Sequence, residues 1–399
     1  MEMLREELMT PVTDRCDVLV AGGGIAGISA ALAAARNGAG VILLEKQYMP
    51  GGLATAGLIT IYLPLCDGCG HQVSFGIAEE LLRESIRHGA EAEYPAEWLE
   101  NGTPEERIAH RFRVRYNAQL FALEAERLLQ EAGVQILYGT SVCNVLVQDG
   151  KMTAVMTENK SGREAIRARA FVDATGDADL YRLAGEPTAL FGPGNILAAW
   201  HYCYAGGAYN LKMLGWAEVP EEDRTEETRP LISRRFRGIE GRELSEMVQL
   251  SHDQIRKEAA ERRREDPSWM PVTMATIPQI RMTRRIEGIS MLDTKDDRRD
   301  FFDSIGLIGN WKKRGPVYEI PFGTLHGSGI RNLITAGRSI SVTDAMWDVT
   351  RVIPACAVTG QAAGTAAALT DDFPALPVRE LQERLRKDGV RPKLQDIGE

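Results

Sequence analysis

The hydrophobic pattern is sharpest near the start of the chain, in "CDVLVAGGGIAGISAALAAARNGAGVILLEK", residues 16–46. Val18, Leu19 and Val20 form a continuous apolar run that reads as a strand and leads into a glycine turn. An alanine-rich helix follows and stops near Gly38, and Val41–Leu44 reads as a second buried strand. This is a βαβ unit with parallel strands. "SFGIAEELLRESIRHG" (74–89) reads as an amphipathic helix with Ser74 at its N-cap and Gly89 near its end. "NAQLFALEAERLLQEAG" (117–133) is a second helix, opened by Asn117 and closed by Gly133. Residues 134–179 alternate as strands, with Asp149-Gly150 and Ser161-Gly162 as hairpin turn pairs, and end in a strand running into Gly176.

From about 190 to 320 the pattern changes. An acidic stretch, "EVPEEDRTEETRP" (218–230), precedes an amphipathic helix from Arg242 to Glu265 that Pro267 ends. This reads as a second lobe. The chain then returns as a strand pair, another glycine-rich turn and a long helix, "VIPACAVTGQAAGTAAAL". Two domains are therefore expected: a discontinuous one from 1–190 and 325–399, and a second from 191–324.

Net charge is −9, from 47 basic and 56 acidic residues, which argues against nucleic acid as the main partner. The basic run Arg262–Arg264 is flanked by glutamates and reads as a solvated helix face. Six cysteines at irregular spacing are too sparse for a disulfide-stapled fold. The N-terminal stretch lacks an apolar signal core, and no run reaches the ~20 apolar residues of a membrane helix. The Gly/Ala/Thr-rich 352–369 stretch reads as a buried, close-packed helix. The expectation is a soluble cytoplasmic protein.

The candidate chemistry starts at Gly22-x-Gly24-x-x-Gly27. Gly22 permits the tight turn, Gly24 lets the backbone approach a pyrophosphate, and Gly27 lets helix and strand pack closely. The helix N-terminus, opening at Ile25 and Ala26, offers free N–H groups to phosphate. Glu45 ends the second strand, placed to accept from ribose hydroxyls. The ligand is NAD or FAD on this evidence alone. "PGGLATAG" favours FAD, because Gly51 and Gly52 let the backbone approach a chain that runs on toward a flavin, with Thr55 at the flavin edge.

Together "VAGGGIAGISAA", "LLEK", "GGLATAG", "QVSFGIAEELL", "FVDATGDADL", "IRMTRRIEG", "YEIPFGTLHGSGIRNLITAGRSIS" and "RVIPACAVTGQAAGTAAAL" resemble the FAD-dependent oxidoreductases of the glutathione-reductase-like superfamily. The branch is the one related to succinate dehydrogenase and fumarate reductase flavoproteins. The resemblance implies an α/β fold: a Rossmann-like FAD-binding domain in three layers, β/β/α, with an α+β substrate or cap domain. It implies FAD contacts from Gly22, Gly24, Gly27, Glu45, Lys46, Gly51, Gly52 and Thr55. Val142 lies on its adenine-side strand, Ala174, Thr175, Gly176 and Asp177 close over the adenine end, and Ala336, Gly337 and Arg338 pass the ribityl chain. Many relatives carry an aspartate where Arg338 stands. The helix after Pro354 is expected to aim its N-terminus at the flavin, with Arg351 beside it stabilising the charge of the reduced ring.

A single dinucleotide fingerprint is visible, so electrons are expected from a bound substrate or to pass to a separate acceptor. The reaction expected is hydride transfer between a small polar organic substrate and flavin N5. Such a reaction calls for a base, and His71, His201 and His326 are candidates. His71 could also carry a covalent flavin link or simply bond to loop backbone. Arg281 is a candidate for binding a carboxylate or enolate, or for a structural ion pair. Cys66 and Cys69, in "CDGCGH", suggest a thiol–disulfide reductase as an alternative; a non-redox flavin-binding role is another. They and His71 are too few for a structural zinc site, so no metal is expected. The expected partners are a small-molecule substrate and an electron acceptor, with a homo-oligomer left open and no nucleic acid or membrane.

Overall fold

The computed structural model describes residues 3–89, 95–99, 102–215 and 229–398. The βαβ unit forms as read: strand Val12–Ala21, helix Ile25–Arg36, strand Val41–Leu44. The two strands are parallel, with Val18 opposite Val41 and Ala21 opposite Leu44. They lie at the centre of a seven-stranded sheet. Its order is Gln135–Leu137, Val41–Leu44, Val12–Ala21, Gly162–Asp173, Lys151–Asn159, Ser141–Gln148. The seventh strand, Leu333–Thr335, also pairs with Gly162–Asp173.

That strand is forked. Its first half pairs antiparallel with Lys151–Asn159, and its last residues, Phe171 to Asp173, pair parallel with Leu333–Thr335 on the same side of the sheet. Its opposite edge runs beside Val12–Ala21 from Ala165 to Asp173. Leu137, Leu44, Ala21, Asp173 and Thr335 are successive neighbours, so five parallel strands end level. In open α/β sheets ligands bind beyond that end.

Alternation along the strands divides the core in two. Val18, Val20, Val172 and Ile334 face the helix layer built on Ile25–Arg36 and Ile353–Leu369. Leu19, Ala21, Phe171 and Leu333 face the other way, against Val145, Met152 and Val155 of the meander. This is the β/β/α layering expected. The two helices touch at backbone distance. A Cβ added to Gly360 would lie 2.3 Å from the Ala26 carbonyl oxygen, and one on Gly364 2.0 Å from that of Ala30. The Gly/Ala/Thr-rich helix is thus buried. No single helix among the described residues is long and apolar enough to cross a membrane.

Asn117 caps helix Ala118–Glu131, accepting from the N–H groups of Gln119 and Leu120. Ser74 does not cap the earlier helix, which runs Ile77–Ser85 from Gly76; its hydroxyl donates to the Leu307 carbonyl instead. The Asp149-Gly150 turn forms with both residues at positive φ. The next turn sits one residue earlier than read: Asn159 opposes Gly162, leaving Lys160 and Ser161 at the tip.

Further along the chain, strands Ala199–Ala205, Ala208–Leu214 and Met270–Met274 form a separate antiparallel sheet, covered by helix Gly241–Glu265. Leu197, Phe236, Met247 and Ile280 form a small core of their own. The acidic stretch lies outside the described residues up to Thr228. Leu292, Ile305, Ile308, Tyr318 and Phe322 pack in the main core with the long helix. In packing, the 191–324 segment is therefore divided between the two cores.

Candidate functional site

A cavity of about 480 Å³ opens at the level end of the five strands. That lies within the roughly 300–1,000 Å³ typical of small-molecule sites. Two helices present their N-termini to it: Ile25–Arg36 through Gly24 and Ile25, and Ile353–Leu369 through Val352 and Ile353. Neither has a side-chain cap. Free first-turn N–H groups and the positive end of each helix dipole therefore face one cavity, which suits an extended ligand with negative charge at two places.

The glycine turn has the shape its spacing predicts. Gly22 is at φ +102°, and a Cβ there would lie 2.4 Å from the Ala174 carbonyl oxygen. A Cβ on Gly27 would lie 1.8 Å from the Gly22 carbonyl oxygen, so this glycine is required by the protein itself. Gly24 differs. Its backbone is extended, and a Cβ there would meet no protein atom within 4 Å. Nothing in the protein requires glycine at 24, so a cradle for a closely approaching ligand accounts for it. The second glycine pair folds onto this turn: the Gly51 N–H donates to the Gly23 carbonyl at 2.7 Å, and Gly51 and Gly52 line the cavity.

Glu45 lines the cavity and is buried. One carboxylate oxygen accepts from the Gly23 N–H at 2.8 Å and the other from the Gln47 N–H at 2.7 Å. Burial raises its pKa above the ordinary value, and these backbone donors oppose the shift. A carboxylate has about four acceptor positions, so two remain for ribose hydroxyls. Lys46, Val142, Ala174, Thr175, Gly176 and Asp177 also border the cavity, as do Ile25, Ala26 and Gly337.

Thr55 does not line the cavity. It is fully buried and donates to the Pro50 carbonyl at 2.6 Å, fixing the turn that carries Gly51 and Gly52. Arg338 borders the cavity, but its guanidinium is committed to protein. It donates to the Gly176 carbonyl (2.7 Å), the Ile280 carbonyl (3.0 Å) and the Asp177 carboxylate (3.0 Å). Asp177 also accepts from the Thr283 hydroxyl at 2.5 Å. Arg338 thereby ties the Ala174–Asp177 turn to the segment around Ile280, a role different from an aspartate's at that position.

Arg281 and Arg351 both line the cavity. Arg351 is paired: its Nε donates to Asp348 at 2.8 Å, and Lys312 pairs with the other oxygen of that carboxylate. Arg281 is 8% exposed and has no carboxylate partner among the described residues. Its guanidinium lies 5.4 Å from the Trp200 ring centroid, and the Gln279 carbonyl is 3.5 Å from Nη1. Burial, with Arg351 nearby, pushes its pKa down to about 9.

The three histidines lie elsewhere. His71 is on an exposed loop with Nδ1 3.1 Å from buried Asp67. His201 is fully buried, with Nδ1 at the Ala199 carbonyl and Nε2 3.3 Å from Glu258 beneath the second sheet's helix. His326 packs on Phe322, with Nδ1 3.2 Å from the Gly327 carbonyl. None borders the cavity, so the expectation of a histidine base there is not met. Cys66 and Cys69 do not border it either. Their loop is organised by Asp67, which accepts from the N–H groups of Cys69 (2.7 Å) and His71 (3.2 Å). Burial pushes the Cys66 thiol up to about 11, away from a reactive thiolate. Among the described residues no group of three metal-ligating side chains occurs.

Sequence reasoning missed the apolar wall formed by Ile59, Ile61, Leu63, Ile277 and Pro278, and it missed Cys356 in the first turn of the long helix. Cys356 had a usable signal, since it follows Pro354 by two positions on the helix end already assigned to the site. The wall had none, because isolated isoleucines read as core.

A family model described as FAD dependent oxidoreductase matches residues 17–196 and 211–385. The chain belongs to that family. FAD is thus its cofactor, and the cradle at Gly24, the two uncapped helix ends and Glu45 fit it. The flavoprotein is also 27% identical over 217 residues to L-aspartate oxidase of Mycobacterium bovis, a match that takes in 47% of this chain and 40% of the relative. The chain therefore spans well under half of that relative's length. Among solved structures, p-nitrophenol 4-monooxygenase of Pseudomonas putida superposes with a TM-score of 0.49 and 11% identity, over 94% of this chain and 84% of that one. The Mycobacterium smegmatis Sdh1 complex gives 0.46 and 15%, over 91% and 69%.

Proposed function

We propose that this flavoprotein moves a hydride between a small, polar, negatively charged organic molecule and flavin N5. The observation that carries this is Arg281, a buried guanidinium bordering the cavity with no carboxylate in direct contact among the described residues, Asp348 acting on it only from a distance. Burying an unpaired charge is costly, and an incoming carboxylate would relieve that cost with charge-assisted hydrogen bonds. Such a ligand would also raise the arginine's depressed pKa. Trp200 holds the guanidinium from one side, so the ligand would approach from the cavity. When bound, FAD supplies the two-electron acceptor or donor.

On this reading Gly22, Gly24, Gly51 and Gly52 let the backbone approach the pyrophosphate and ribityl chain, and Glu45 accepts from ribose. The N-terminus of Ile353–Leu369, with Arg351 beside it, would stabilise negative charge on the reduced flavin. Ile59, Ile61 and Ile277 would exclude water from the reacting face. With no histidine at the cavity, the substrate proton would leave by a route other than the three histidines.

The test begins with the visible spectrum of the purified protein and release of FAD on acid precipitation. An anaerobic screen of hydroxy acids, unsaturated acids and sugar acids then follows flavin absorbance. At least one carboxylate should change the flavin's redox state, bleaching the oxidised form or reoxidising the reduced one. Arg281→Met should keep its FAD but lose at least about 100-fold in reaction rate, a cost of about 2.7 kcal/mol. If uncharged analogues react equally well, or if the variant keeps the wild-type rate, the anionic-substrate reading fails.

A further inference from the structure

The opposite end of the sheet carries a second groove, of about 340 Å³, that the redox chemistry does not use. Arg15 and Cys16 of the first strand, Arg167 and Arg169 of the forked strand, Lys151 and Asp371 all line it. Four cations and one carboxylate line it, in a chain whose net charge is −9; Asp14 and Asp17 lie near Cys16 but do not line the groove. Two of the cations have structural work. Lys151 pairs with Asp371 at 2.7 Å, and Arg169 donates to the Ala367 and Ala368 carbonyls at the C-terminus of the long helix.

Arg15 and Arg167 have no such work. They are register partners on adjacent parallel strands, both are exposed, and neither guanidinium has a carboxylate partner among the described residues. Like charges side by side across a sheet destabilise it. Cys16 does not offset them, because burial pushes its thiol up to about 12. The repulsion has no counterpart in the packing, since either position could carry a neutral residue on the exposed surface. Two adjacent planar forks at the mouth of a groove match an oxyanion with several charged oxygens.

We propose that this groove is a binding site for a phosphate-bearing ligand, held between Arg15 and Arg167 with Lys151 and Arg169 adding to the field. It is distinct from the FAD cavity. Arg15 lies six residues before Ala21, which places it about 20 Å from the cavity end at 3.3 Å per residue. The ligand would therefore act on the protein's stability or location, not on the flavin directly.

The test uses FAD-loaded protein, so that the cofactor's own phosphate site is filled. Inorganic pyrophosphate is titrated by calorimetry and by thermal unfolding, in parallel with Arg15→Gln/Arg167→Gln. Wild type should bind and show a rise in Tm that falls with added salt. The double variant should bind at least about ten-fold more weakly, keep its flavin spectrum and, without ligand, unfold no earlier than wild type. Flotation with phosphatidylcholine vesicles, with and without phosphatidate, identifies the source. Capture that needs both phosphatidate and the two arginines places the phosphate on a lipid; pyrophosphate binding without capture points to a free metabolite. If the wild type binds neither probe, or the double variant binds both unchanged, the proposal is overturned.

Discussion

Gly24 and Gly27 belong to one motif but answer to different demands. Gly27 is enforced by protein packing, because any side chain meets the Gly22 carbonyl at 1.8 Å. Gly27→Ala should therefore destabilise the apoprotein by about 3 kcal/mol or more. Gly24→Val should leave the apoprotein within about 0.5 kcal/mol of wild type, since a Cβ there meets no protein atom within 4 Å, yet lower FAD affinity at least about ten-fold. Chemical denaturation of the apoproteins and flavin-to-protein absorbance ratios separate the two outcomes. An unstable Gly24→Val apoprotein would mean that the protein, not the ligand, requires this glycine. His326 offers a pH test. Burial lowers its pKa from the ordinary 6.5, with Asp303 and the Gly327 carbonyl opposing the shift. The unfolded chain then takes up a proton that the native state refuses, so stability falls as pH drops below 6.5. The slope from this group is at most about 1.4 kcal/mol per pH unit. His326→Gln should flatten the stability profile just below pH 6.5; an unchanged slope would place its origin in another group.

Helices decide the site more than strands do. The two that face the cavity are also packed against each other through Gly360 and Gly364, so each fixes the aim of the other's N-terminus. Gly364→Leu drives a side chain into the Ala30 carbonyl, 2.0 Å from the added Cβ. It should cost about 3 kcal/mol or more and, in whatever protein still folds, loosen FAD, because the helices can only part by tilting. Thermal unfolding with and without added FAD reads both effects, and a variant that keeps wild-type Tm and FAD content would show that the contact is dispensable. This pairing was half legible. The small residues of "AVTGQAAGTAAAL" announced a close-packed helix, but nothing in them named the partner. The uncapped ends were legible at Gly24 and Val352, since neither N-cap residue has a side chain able to cap.

At the scale of the molecule, the parts of the fold tied to backbone geometry were readable and the parts tied to distant contacts were not. Positive-φ glycines and apolar strand runs announce themselves locally, so the fingerprint, the second glycine pair and the Ala174–Asp177 turn reached the cavity as expected. Thr55 and the three candidate histidines do not border the cavity, whereas Arg338 borders it with its guanidinium bonded to protein. A side chain's target depends on which segments the fold brings beside it. Arg338 meets Gly176 and Ile280, and His201 meets Glu258 under a helix that sequence could place only as a neighbour in the chain. The "CDGCGH" loop is decided the same way. Asp67, not either cysteine, gathers its donors, and burial rather than chemistry accounts for Cys66.

The forked strand has a consequence for how the protein is made. Residues 162–173 follow directly on the meander strand that covers half of their outer edge, so that half has its partner as soon as it is made. The other half waits for Thr335, which is synthesised 162 residues after its partner Asp173. Until then, the backbone groups at the end of the strand that borders the cavity lie open, and the long helix that covers the sheet has not yet been translated. The nascent chain thus carries an unfinished cofactor site until Leu333–Thr335 is made, with a free strand edge of the kind that invites wrong partners. A fragment ending before residue 333 would inherit that edge permanently and would also lack the N-terminus of Ile353–Leu369 at the cavity.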